Sequence, residues 1–248
     1  MRLKTTLLAA VGCLMLVPSC KDPEEKTVYA TNKAGERLVE KIIAYSTDTV
    51  YFKYNSDGTL KTIKGFEGEN RILSFERKGN TLFMQDKEDD YIEESSFDLN
   101  EKGWIVLDRG WGGFSNFRFT YDDNGYLHNV FKGEELLWTF EWKDGNIANE
   151  EVTYIPTQSN PSNIDWCAFF QSWRHVETYD NTENLVDVAS ICLFWGFSEG
   201  YLGNKCKGLP LTKNNGRTNY SYDFDQDGFV STIYINGAPR YKVSYLKR

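Results

Sequence analysis

One short pattern recurs along this chain and leaves it little choice of architecture. It reads Phe52-Lys-Tyr54-Asn-Ser-Asp57-Gly58, Phe97-Asp-Leu99-Asn-Glu-Lys102-Gly103 and Phe119-Thr-Tyr121-Asp-Asp-Asn124-Gly125. Phe140-Glu-Trp142-Lys-Asp144-Gly145 and Tyr222-Asp-Phe224-Asp-Gln-Asp227-Gly228 follow the same form, and Phe75-Glu-Arg77-Lys-Gly79 is a degenerate copy. Alternation at period two puts the apolar residues on one face of a strand. Asp-Gly or Asn-Gly accepts the positive φ of a tight hairpin turn. A second apolar set, such as Leu60 and Ile63 or Tyr126, Leu127 and Val130, marks the returning strand. Turn glycines 58, 79, 103, 125 and 145 lie about 20–24 residues apart, room for two strands of ordinary length and two connections. The expected fold is all-β: an antiparallel meander of hairpins forming a curved sheet or water-soluble barrel.

The unit resembles the tyrosine/aspartate repeats of RHS-type shell proteins. The chain as a whole is similar to a Bacteroidota lipoprotein family of unknown function with a porin-like fold. The residues that carry this likeness are the hairpins above, a lipoprotein-like N-terminus, and Gly200-Tyr-Leu-Gly203-Asn-Lys-Cys-Lys-Gly-Leu-Pro210 before a final hairpin. In relatives the last segment tends to read Gly-x-x-Gly-Lys-x-Ser-Lys-x-Leu-Pro, so Asn204 and Cys206 depart from it. The resemblance implies a fold and a location, and no activity. A membrane-crossing barrel is not expected, because the positions opposite the aromatics are Lys53, Asp98, Thr120, Glu141 and Asp223. A lysine facing mid-bilayer would cost about 2–4 kcal/mol.

The location is written in the first residues. Arg2 and Lys4 precede an apolar run from Leu7 to Val17, then Pro18-Ser19-Cys20. The run is too short to span a bilayer and has the order of a removed export signal. The chain reads as a signal peptide at 1–19, a lipidated Cys20 and flexible tether over 20–35, and a single β domain over 36–248. An ordinary secretory signal with Cys20 incidental is the competing reading. Lys21-Asp-Pro-Glu-Glu-Lys26 resembles the acidic tag that sends Bacteroidota lipoproteins to the outer face of the outer membrane, with the periplasmic face as the alternative. Loss of Arg2 and Lys4 would make the formal net charge of −8 more negative by two. Such an acidic body repels nucleic acid. The expected partners are the membrane, through the lipid, and a glycan, a lipid or another envelope protein.

From about 156 to 215 the hairpins stop, and a helical or loop insertion is expected, helical near 163–206. Asp165 and its neighbours offer an N-cap before Trp166, Phe169, Phe170 and Trp173, which have helical spacing, and Thr182 can cap a second helix. In one reading these helices plug the sheet. In the other they line a pocket with Trp166, Phe170, Trp173, Trp195 and Tyr201. Cys167, Cys192 and Cys206 allow at most one disulfide and no framework.

Motifs for chemistry are sparse. Asp223, Asp225 and Asp227 match the first half of a calcium loop, but position twelve is Tyr234 rather than a bidentate Glu, and the segment also fits the hairpin repeat. His128 and His175 are the histidines; His128 is expected at an exposed strand position. No nucleophile elbow, zinc-protease motif or phosphate-binding loop appears, and the sequence calls for no cofactor. The expectation is a non-enzymatic binding or structural module. A soluble β-barrel carrier or sensor for a hydrophobic ligand is the alternative, and a hydrolase the third reading.

Overall fold

The computed structural model describes residues 30, 35–45, 49–66, 68–110, 116–148, 153–160, 162–166, 168, 196, 198–213 and 216–247, with backbone alone at 138 and 153–159. Along one half of the sheet run β1 (Val39–Ala44), β2 (Thr49–Tyr54), β3 (Leu60–Lys64), β4 (Ile72–Lys78), β5 (Thr81–Glu88), β6 (Tyr91–Leu99), β7 (Ile105–Asp108), β8 (Phe117–Tyr121), β9 (Leu127–Lys132) and β10 (Glu135–Thr139). A small hairpin follows, β11 (Trp142–Lys143) and β12 (Asn146–Ile147). The other half is β13 (Thr153–Ser159), β14 (Gly208–Lys213), β15 (Thr218–Phe224), β16 (Val230–Ile235) and β17 (Ala238–Tyr245). The sheet order is β10 back to β1, then β17 back to β13, with every pair antiparallel. This is the expected meander, as a large curved sheet whose edge strands β10 and β13 do not pair among the described residues. Strands β13 and β14 occupy both ends of the 156–215 interval, so the meander is interrupted only over 160–207.

The repeat carries more structure than an Asp-Gly turn. In the four copies where Gly stands six residues after the first aromatic, one loop recurs. The residue three before Gly (Asn55, Asn100, Asp122, Asp225) gives its N–H to the carbonyl four residues on and receives the glycine N–H at its own carbonyl. At Asn100, Asp122 and Asp225 the side-chain Oδ1 also accepts the N–H groups two and four residues on. The glycines sit at φ +83 to +85. The shorter copies instead make two-residue turns at Gly79-Asn80 and Asp144-Gly145.

After each five-residue loop the returning strand slips register. Tyr54 faces Leu60 but Lys53 faces Thr62, so Lys61 is extra; Val106, His128 and Ser231 are extra in the same way. A bulge flips the side-chain alternation. That is why Leu60 and Ile63, Leu127 and Val130, and Val230 and Ile233 are all buried at a spacing of three.

The inner face is filled. Phe52, Phe75, Leu82, Met84, Phe97, Phe119, Leu209 and the pairs above form one core with Ile164, Trp166, Ala168 and Leu202 from outside the meander. Many outward positions are charged and exposed, among them Lys53, Lys61, Glu76, Glu94 and Glu141, while Tyr51, Phe83 and Leu136 are exposed apolar ones. The helical insertion lies largely outside the described residues; at its two ends Trp166, Ala168, Gly196 and Ser198 have helical backbone. No helix among the described residues is long and apolar enough to cross a membrane.

Candidate functional site

The repeat length is two strands, so every glycine turn of the repeat falls at the same end of the sheet. At each bulge the first residue of the returning strand is paired on one side only, which leaves a donor and an acceptor to satisfy on the other. Leaving such a group buried and unpaired costs about 1–3 kcal/mol. Two devices meet this need.

The carbonyls are taken by the repeat itself. Tyr54 donates its hydroxyl to Val39 O (2.8 Å), Tyr121 to Ile105 O (2.6 Å) and Tyr245 to Val230 O (3.0 Å). Trp142 fills the same place with its indole N–H on Leu127 O at 2.7 Å. Each acceptor is the first residue of its strand, and for the three tyrosines that strand is the one just before their own in the chain. Tyr222, at the other apolar position of its copy, reaches Pro210 O (2.6 Å). The second aromatic of Phe-x-Tyr is therefore a latch between neighbouring hairpins as well as core.

The N–H groups are taken by the interruption, 160–166 and 198–207, which lies across this end as a cap. Val39 N–H donates to Asn163 Oδ1 (2.9 Å), Leu60 N–H to Glu199 Oε2 (2.9 Å) and Ile105 N–H to Tyr201 O (2.7 Å). Asn163 also donates to the Tyr54 hydroxyl at 2.9 Å. The expected N-cap is present: fully buried Asp165 accepts from Ala168 N–H, and its other oxygen from Cys206 N–H. Lys205 holds the cap from above, with Glu36 Oε1 at 2.6 Å and a bond to Ser162 O. Half-buried Glu199 has its carboxyl pushed up to about 7, by burial first and then by the charges of Glu36 and Asp57; the Leu60 N–H and Lys205 pull the other way.

The two ends of the curved sheet are drawn together here. Lys207 N–H donates to Gly145 O and Gly208 N–H to Asn146 Oδ1, joining the β11–β12 hairpin to the start of β14. At this seam a cleft of about 760 Å³ opens between the 122–126 turn, the 144–145 turn and the cap. Asn124, Tyr126, Asp144, Asn204, Lys205 and Lys207 line it.

The candidate lining residues separate. Trp166 is fully buried in the core, and half-buried Tyr201 packs against that core and contributes its backbone carbonyl. Phe170, Trp173 and Trp195 lie outside the described residues, as do Cys20, Cys167, Cys192 and His175. Cys206 is buried. His128 is exposed on its strand, as expected. Asp223, Asp225 and Asp227 do not converge. Arg37 binds Asp225 (3.1 Å) and Asp227 (2.7 Å) while stacking over Phe229, and Asp223 accepts the Tyr234 hydroxyl. Among the described residues no group of three acidic, Cys or His side chains is arranged for a metal ion. Sequence reasoning passed over the seam because its residues are polar and lie in turns. The hint was the Asn204-Lys-Cys-Lys207 stretch, hydrophilic yet followed at once by the buried Gly208-Leu209-Pro210.

No family model matches the chain, and no curated protein matches it. Among solved structures it is similar to a porin-like protein from Bacteroides uniformis, with a TM-score of 0.51 and 17% identity over 85% of this chain and 98% of that one. A porin-like protein from Bacteroides vulgatus gives a TM-score of 0.51 and 13% identity over 84% and 98%. The class defined by the fold is thus porin-like. At such identities the likeness extends to the fold alone.

Proposed function

We propose that this protein is a non-enzymatic binding or structural module, anchored by a lipid on Cys20 to the outer membrane and facing the cell surface. The observation that carries the reading is the filled inner face. Core side chains from the meander and the cap occupy what would be the lumen of a pore, and the outer face mixes charged residues such as Lys53, Lys61 and Glu76 with scattered exposed apolar ones such as Tyr51, Phe83 and Leu136. The same packing favours a module over a carrier of hydrophobic ligands. Tyr54, Tyr121, Tyr222 and Tyr245 are spent as latches.

The tether fits this arrangement. Ala30 N–H donates to Leu246 O and Ala30 O accepts from Leu38 N–H, so the described chain begins at the cap end. Ala30 lies ten positions after Cys20, a span of at most roughly 35 Å. In Cys20→Ala cells the protein should leave the membrane fraction, lose metabolic palmitate label and keep its melting temperature. Retention in the membrane fraction after a carbonate wash would overturn the anchor. Surface proteolysis of intact cells decides between the outer and periplasmic faces, and lipid recovered by organic extraction of the delipidated Cys20→Ala protein would favour the carrier instead.

A further inference from the structure

We propose that the seam cleft binds an acidic oligosaccharide, with Tyr126, Asp144 and Lys207 as its contact residues. This rests on reading the protein as a binding module and names the ligand class of that module.

The telling residue is Tyr126. Only 9% of it is exposed, its ring stacks on Trp142 with centroids 4.5 Å apart, and it lines the cleft. Tyr54, Tyr121, Tyr222 and Tyr245 all spend their hydroxyls on strand carbonyls. The Tyr126 hydroxyl makes no hydrogen bond within the described protein and is not sealed off from solvent. A ring held this firmly, with its polar tip turned to a cleft, is a fixed donor and acceptor awaiting a partner. Three more groups share the cleft under the same condition: the Asn124 carboxamide, the Asp144 carboxylate and the Lys207 ammonium, which has no acid within ion-pair distance among the described residues.

These groups are set on rigid supports. Asn124 and Tyr126 sit in the loop stapled by Asp122 Oδ1. Asn204 is fixed by its N–H on Gly125 O and its side-chain amide on Asn124 O, both 2.9 Å. Asp144 occupies a turn with φ +54, and the Lys207 stem lies over Gly145, within 2.5–3.0 Å of where a Cβ would be. Preorganised polar groups lose little entropy on binding.

The mixture identifies the ligand. A hydroxyl, carboxamides, a carboxylate and an ammonium suit sugar hydroxyls, each of which donates and accepts. The unpaired Lys207 adds a preference for a carboxylated or sulfated sugar, since a charged bond is roughly twice as strong as a neutral one. An acidic peptide would meet Asp144 without the hydroxyls to bond it. The volume suits a short oligosaccharide, being within the usual 300–1,000 Å³ or so of ligand sites.

The test uses the full-length protein in detergent, titrated with trigalacturonate, a sulfated oligosaccharide and maltotriose. At least one acidic probe should bind about tenfold or more tighter than maltotriose. Lys207→Gln should lose about tenfold for that probe while Lys207→Arg keeps most of it. Tyr126→Phe should weaken binding with no change in melting temperature, because the hydroxyl has no structural partner; a purely structural Tyr126 would give the reverse. Equal binding by Lys207→Gln, or no binding of either acidic probe, overturns the inference. Capture of a peptide or envelope protein with no glycan bound overturns it too, while leaving the module reading and its Cys20 test standing.

Discussion

Gly200 and Gly203 form a matched pair for measuring how tightly the cap meets the sheet. Both have positive φ, +74 and +80, and they lie three residues apart in one loop. Around Gly200 a Cβ would find nothing within 4 Å. At Gly203 it would stand 2.3 Å from Gly125 O and 3.1 Å from Tyr121 Cδ1. Alanine at either site carries the left-handed penalty of roughly 1–2 kcal/mol. Either site also gains about 0.4–1 kcal/mol from a less flexible unfolded chain. Gly200→Ala should therefore cost about 0–1.6 kcal/mol.

Gly203→Ala cannot stop there. A backbone oxygen at 2.3 Å must move, and Gly125 O is the acceptor of Asn204 N–H, beside the Tyr126–Gly203 bridge. Losing those backbone bonds adds about 1 kcal/mol each. The expected gap between the two variants is about 2 kcal/mol or more, some 4–8 °C in melting temperature for a domain of this size. Urea unfolding followed by tryptophan fluorescence measures it, provided the slopes agree. If the two variants are destabilised equally, the cap does not lie against the 122–126 turn as described and the seam has to be redrawn.

Two further outcomes follow from the latches and the cap. Tyr54→Phe removes a bond to Val39 O and one from Asn163 Nδ2, so it should cost about 1–3 kcal/mol, whereas Tyr45→Phe at an exposed ring should be silent in the same urea titration. Equal effects would refute the latch. The Glu199 carboxyl is raised in the folded protein, to about 7 from an ordinary 4.5. The folded state then holds a proton that the unfolded chain releases, so this contribution to stability is full below about 4.5 and is lost as pH rises through about 7. Glu199→Gln should flatten that part of the stability–pH curve, and an unchanged slope between pH 5 and 8 would show that Glu199 is not its source.

Much of the fold was legible because the repeat obeys local rules. Phe52, Phe97 and Phe119 face the core as their alternation demands, and Asp165 caps as its position suggested. The turn type was half legible. Gly six residues after the aromatic makes the five-residue loop and shorter spacings make two-residue turns, yet the Asp-Gly dipeptide drew attention from the Asx three residues before Gly. The spacing of Leu60 and Ile63 carried the bulge, which strict alternation cannot produce. The site was far less legible. A buried Trp166 and a pocket-lining Trp166 have the same sequence context. The partners of the cap are as far apart as Leu60 and Glu199, and no local pattern connects them.

The bulges also explain why one segment can serve so many hairpins. Were the repeat one strand long, bulges would alternate between the two ends of the sheet and no single cap could reach them. At two strands per unit they gather at one end, and with them the unpaired N–H groups of Val39, Leu60 and Ile105. A cap is then stabilised by several acceptor contacts at once, using whatever acceptor comes to hand: a carboxamide, a carboxylate, a backbone carbonyl. Because the contacts ask for an oxygen and not a particular residue, the cap's sequence is constrained in position more than in identity. The glycine at 203 is the exception, since there the two backbones touch and only the absence of a side chain lets them.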